Sequence, residues 1–383
     1  MTNEQQFILC AVRQALSAEG DLLAPWKEAA LNFDYVKRTI INNGILLTVF
    51  PALSAFPSLQ ALLHSSYYSN IGQSVLQDYE GSQILRAFNE AGLDCIALKG
   101  WEMRKLYPEI TMRQMVDLDI LVRDYDYKTL KNIMTKLGYV VAEPESSWMH
   151  DSFSKGNVTV ELHKRLTDDS GEIQRWETEM WNRTTHAGND KHILRMSDED
   201  CFIYHLIHMH KHFLDGSLGL RRIVDTWLFI KKHPEMDHQF LREQFSLIGL
   251  TRFADQMIRL SRAVLGEIEI DDNCETLLNF AFKYGINGTS KTYKISRVVF
   301  MSDRLSSGRA RALISAVFMP YDRMKAHYPV LKRWPILLPG CWILRILQKL
   351  KVNRKRNINL LDFRGLSEEN FEEMKRFFEA GGC

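Results

Sequence analysis

Apolar residues recur at helical spacing through the first ninety positions. Leu59, Leu62, Leu63, Tyr67, Ile71, Val75, Tyr79 and Phe88 mark one long stretch, and Gly92 follows as a stop. Gly72 and Gly81 weaken this helix without ending it. The Trp and Tyr residues of these helices are expected in the core. From residue 93 the texture changes. Residues 93–98 read as a short buried strand ending at Lys99-Gly100, and 101–107 as a helix stopped by Pro108. Residues 118–122 form a second strand, and 125–137 a helix capped by Asp124 and ending at Gly138. A third strand covers 139–142. Residues 150–154 and 158–162 alternate like a hairpin turning at Lys155-Gly156-Asn157. Helical spacing returns from about Gly171, with helices over 198–213, 220–232, 239–248 and 252–265. The expected class is α+β: a small mixed-sheet core over 92–170, between helical regions over 1–91 and 171–383.

Composition changes this picture little. The 383 residues carry 49 basic and 47 acidic side chains, so a long nucleic acid is not the expected partner. Six scattered cysteines, with no CxxC pair, argue against a zinc module or a disulfide framework and fit a reducing cytosol. The N-terminus lacks the pattern of a secretory signal, and no apolar run reaches the roughly 20 residues that span a bilayer. A cytoplasmic protein is expected. The very apolar stretch 334–347, with Lys332, Arg333, Arg345, Lys349, Lys351, Arg354, Lys355 and Arg356 around it, has two readings. One is a buried C-terminal helix with a solvated basic end. The other is peripheral contact of 332–356 with an anionic membrane surface.

The chemistry concentrates in Asp117-Leu118-Asp119. Two acids at i and i+2 on a strand share one face while Leu118 and Ile120 take the other. Such a pair calls for a counter-charge, and magnesium, which takes oxygen ligands, suits it. In 158–163 the valines and Leu162 alternate with Thr159, Glu161 and His163. If this strand neighbours the first, Glu161 becomes a third ligand and His163 sits at the pocket edge. Lys99-Gly100 lies between a strand and a helix, where glycine lets the backbone approach phosphate closely. Arg113 is placed to neutralise a triphosphate. Arg104 and Lys105 read as solvated helix charges.

The succession of apolar strand, Lys-Gly, helix with Tyr-Pro, Arg-x-x-x-Asp-x-Asp and Glu-Leu-His resembles the nucleotidyltransferase superfamily of polymerase-beta-like fold. More narrowly, it resembles a bacterial branch called the uncharacterised nucleotidyltransferase family. The resemblance is best over 80–235. Where the wider superfamily has Gly-Ser or Gly-Gly, this chain has Lys-Gly, and its gap to Asp117 is longer; both features occur in the narrower branch. The resemblance implies two ions, Mg2+ or Mn2+, held by Asp117 and Asp119 and by Asp119 and Glu161. It implies a nucleoside triphosphate substrate, ATP by default, its phosphates met by Lys99, Gly100 and Arg113. An acceptor hydroxyl of unidentified origin would attack the α-phosphorus.

His205, His208 and His212 fall on one helical face, but i to i+7 spans two turns, too far for easy sharing of one zinc ion. They are expected to line the cleft; the narrower branch carries similar histidines, and that resemblance implies that His208 and His212 face the nucleotide or acceptor. An EF-hand reading of Asp124 and Asp126 fails for want of the glycine and closing glutamate. Two other functions compete: a DxD glycosyltransferase using a nucleotide sugar, and an inactive nucleotide-binding scaffold of the same fold. In the first, the motif normally closes an apolar strand, whereas here the apolar strand follows it.

Overall fold

The structure, a computed structural model, describes residues 1–17, 20–142, 149–167, 171–305, 321, 324, 328, 330–344 and 367–383. Four helices open the chain: α1 (Asn3–Leu16), α2 (Phe33–Asn42), the single turn α3 (Leu46–Val49) and the long α4 (Pro57–Glu90). Thr2 and Gln5 form a capping box on α1, and Pro57 at the first position of α4 loses no hydrogen bond there. Strand β1 (Cys95–Ala97), the turn α5 (Gly100–Met103), β2 (Leu118–Val122), α6 (Tyr127–Lys136) and β3 (Val140–Val141) follow. The expected hairpin is β4 (His150–Lys155) and β5 (Val158–His163), joined at Gly156-Asn157 with Gly156 at positive φ, as a two-residue turn requires. After α7 (Glu172–Met180) come β6 (Thr185–His186) and β7 (Ile193–Arg195). The rest is helical: α8 (Asp198–Leu214), α9 (Leu220–Lys232), α10 (His238–Leu247), α11 (Thr251–Val264), α12 (Asp272–Tyr284), α13 (Ser290–Leu305) and α14 (Glu368–Ala380), with short helical stretches at Val330–Arg333 and 335–344.

The strands form one mixed sheet in the order β3-β4-β5-β2-β1-β7-β6. β2 pairs parallel with β5 and β1 parallel with β7; the remaining neighbours are antiparallel. One face packs on α4 and α6, where Ile84, Phe88, Leu130 and Met134 meet Leu118, Ile120, Val160 and Leu162. The other face contributes Ile96, Leu98 and Leu121 to a larger core built with α1, α8, α9, α11 and α12. The α+β class with helical flanks stands. The sheet nevertheless reaches beyond residue 170, because β6 and β7 join it after α7.

Other expectations are corrected. α4 runs through Gly72 and Gly81, but its apolar stripe changes partners: Leu59 and Leu63 enter the larger core and Ile84 and Phe88 the sheet. Between them Val75 and Tyr79 are exposed, as is Tyr68, so these aromatics are not core. Asp126, not Asp124, caps α6, accepting from the Lys128 and Thr129 amides. Arg104 is not solvated; it is buried in an ion pair with Asp78, whereas Lys105 lies at the surface beside Glu102. In the tail, 338–344 is helical, but Trp334, Ile336, Leu337, Ile343 and Leu344 are exposed rather than buried. The remainder of that segment, 345–356, lies outside the described residues. No helix among the described residues is long and apolar enough to cross a membrane.

Candidate active site

Parallel pairing of β2 and β5 sets Asp119 level with Glu161. Because Leu118 and Ile120 turn toward α4 and α6, alternation sends Asp119 to the opposite face, toward α8 and α9. Asp117 stands just before β2. One oxygen from each of Asp117, Asp119 and Glu161 lies within 4.8 Å of the others. Burial, then the Asp119 charge, pushes the Asp117 carboxyl up to about 6.

Two donors answer the trio. Lys99 Nζ lies 3.1 Å from Asp119 Oδ1, and His163 Nε2 lies 2.8 Å from the same oxygen. A carboxylate only accepts, so His163 carries its proton on Nε2. Burial works against the charge on Asp119, but Lys99 and His163 outweigh it and hold this carboxyl below its usual range. Burial likewise opposes the His163 imidazolium, while Asp119 and Glu161 raise its pKa. Expected at the pocket edge, His163 is instead buried between the two acids. A hydrogen bond from His163 lowers the Glu161 pKa.

The Lys99-Gly100 turn is strained. Lys99 adopts φ 45°, a left-handed value rare outside glycine. A Cβ on Gly100 would lie 2.9 Å from Met115 Cγ and 3.1 Å from an Arg113 nitrogen, so a larger residue would have to push these side chains aside. The helix beyond is a single turn and adds no sustained dipole.

Across a cleft of about 320 Å³ stands a wall built by α8 and α9. Tyr204, His208, Lys211 and His212 come from α8, and Arg221, Arg222 and Asp225 from α9. Arg113 also lines the cleft but is fixed in a bidentate pair with Asp225, both bonds 2.8 Å, which Tyr107 joins at 2.9 Å. His208 and His212 meet through their Nε2 atoms at 3.0 Å, so one donates and the other accepts; both are pushed below the usual histidine range, first by burial and then by nearby cations. His205 also lines the cleft but is tied to Thr226 through its Nε2, so the three histidines do not converge on one point. Burial brings Arg221 down to about 10 and Arg222 to about 9, and neighbouring guanidinium groups add to the effect. Arg221 Nε and the Tyr204 hydroxyl are buried with no hydrogen-bond partner among the described residues. A wall with surplus positive charge and unused donors is fitted to an anion.

The model of the uncharacterised nucleotidyltransferase family matches residues 30–266, which include the sheet, the carboxylates and the cationic wall. The chain belongs to this family. No curated protein matches it. Among solved structures, it is similar to the antibiotic-resistance factor ANT(2'')-Ia, at 14% identity and a TM-score of 0.35, over 48% of this chain and 95% of that one.

Family membership leaves the residues of the wall to be read from the structure. Sequence reasoning passed over Tyr204, Lys211, Arg221, Arg222 and Asp225 as site residues. Tyr204 and Lys211 share the helical face of His208, one turn to either side, and that spacing was the available signal. His150, also in the cleft, was hidden until the hairpin register was known.

Proposed function

We propose that this family member is a metal-dependent nucleotidyltransferase, moving a nucleoside monophosphate from a triphosphate to a hydroxyl-bearing acceptor. One observation carries the reading: a carboxylate trio and a surplus-positive wall face each other across a single cleft. The trio supplies only oxygen donors and suits Mg2+ or Mn2+. Bound there, such ions would polarise the α-phosphate and steady the attacking and leaving oxygens.

The chain's own groups then divide the work. Arg221, Arg222, Lys211 and the Tyr204 hydroxyl receive the β- and γ-phosphates, charge-assisted donors meeting acceptor oxygens. Gly100 lets the chain close on the phosphate tail, and Lys99 stands between Asp119 and the incoming phosphates. The acceptor oxygen bonds to the α-phosphorus as the bond to the bridging oxygen of pyrophosphate breaks. The hydroxyl proton passes to Glu161, the more exposed of the two aligned acids. ATP is the first triphosphate to try. The exposed Trp334, Ile336 and Leu337 beside Arg333 support peripheral contact with an anionic membrane, which co-flotation with phosphatidylserine vesicles checks.

The reaction is tested by incubating the protein with Mg2+, each triphosphate and cell extract, and measuring pyrophosphate. Release that disappears in Asp119→Asn supports the proposal. Triphosphate binding without release under all conditions would identify a scaffold, and sugar release from a nucleotide sugar would identify a glycosyltransferase.

A further inference from the structure

A second ligand set shares Glu161 with the trio. Across the antiparallel β4–β5 pair, His150 lies directly opposite His163, their ring centroids 5.2 Å apart. His150 Nε2 stands 3.7 Å from Glu161 Oε1, and His163 Nε2 stands 3.5 Å from Glu161 Oε2. Ligand atoms of all three residues lie within 4.8 Å of one another. A tetrahedral ion with bonds of ~2.1 Å separates its ligands by roughly 3.4 Å, and each imidazole has one of the two Glu161 oxygens within a few tenths of that spacing. Among the described residues the His150 ring makes no hydrogen bond, and it is 28% exposed to the cleft, which leaves an ion a way in.

We propose that His150, Glu161 and His163 form a transition-metal site beside the oxygen-only site of Asp117, Asp119 and Glu161. Two imidazoles and a carboxylate select Zn2+ or Co2+ over Mg2+, because nitrogen donors favour ions softer than magnesium. Glu161 then belongs to both ligand sets. The His163 bond to Asp119 is exchanged for the ion, with the Nε2 proton released to solvent. The inference rests on the proposed reaction only for the role of Glu161. Its test reads occupancy rather than turnover, so either can fail alone.

The probe is Co2+, titrated into chelator-stripped full-length protein in excess Mg2+ and followed by its visible absorption. The expected result is one equivalent that Mg2+ does not displace, with bands of a nitrogen-ligated ion. In His150→Gln its affinity falls at least as much as the roughly 10–100-fold that loss of an outer-shell partner costs. In Asp117→Asn it is kept. No Mg2+-resistant equivalent, or unchanged affinity in His150→Gln, overturns the site. So does loss in Asp117→Asn, which would assign the ion to the carboxylate trio. Should His150→Gln not fold, retention or loss in Asp117→Asn still decides.

Discussion

Asp117 is held in a charged state against its local environment. With its carboxyl raised to about 6 against an ordinary 3.8, the folded protein carries a penalty that is full above pH 6 and absent below the unfolded value. Asp117→Asn therefore stabilises the metal-free protein at pH 7.5, by roughly 1–2 kcal/mol once partial exposure is discounted, while abolishing transfer. Urea unfolding in chelator checks this, and a less stable variant would contradict it. Arg113 behaves oppositely. Its pair with Asp225 is buried, so Arg113→Ala strands an acid in the core and costs about 3–5 kcal/mol, measurable in the same titration. The contrast marks what the sequence could disclose. Two-residue alternation put Asp119 and Glu161 on one face, and parallel pairing made them neighbours. Nothing local joins Arg113 to Asp225, 112 positions away, so an arginine that reads as a phosphate ligand is held by a carboxylate.

At the scale of elements, α4 ties the sheet to the helical core, and Gly81 sets how closely. A Cβ at Gly81 would lie 2.3 Å from the Trp101 ring, and Trp101 follows Gly100. Gly81→Ala gains up to about 1 kcal/mol of helix propensity but overpacks at a cost of about 1–3 kcal/mol. The expected result is a mildly destabilised protein with weaker triphosphate binding by calorimetry; unchanged affinity would show that the turn is set independently of α4. Long elements were legible because their apolar period repeats: α8 and α9 lie within a residue or two of their expected bounds. β6 and β7 were not, since two or three residues carry no period and Ile193-Leu194 is a buried pair without alternation. That omission set the expected end of the core too early.

For the molecule as a whole, α8 links the cleft to stability through its histidines. Burial lowers His205 and His210 to about 4, so the folded state keeps them neutral while the unfolded chain protonates below about 6.5. Their contribution is intact above that value and is lost as pH falls toward 4, by up to about 1.4 kcal/mol per pH unit for each. Urea midpoints should fall between pH 7.5 and 5.5, and His210→Phe, which keeps a ring against Phe253, should flatten the slope. An unchanged slope would place the acid sensitivity elsewhere. The sheet holds the carboxylates, the helices hold the cations, and the cleft exists only where the two meet. The proposed reaction transfers the α-phosphate in this cleft. Parallel reactions with α-labelled and γ-labelled triphosphate in Mg2+ and cell extract test it most directly. Acceptor should be labelled only from the α-position, with none in Asp119→Asn; label arriving from the γ-position, or undiminished transfer by Asp119→Asn, would rule out α-phosphoryl transfer in this cleft.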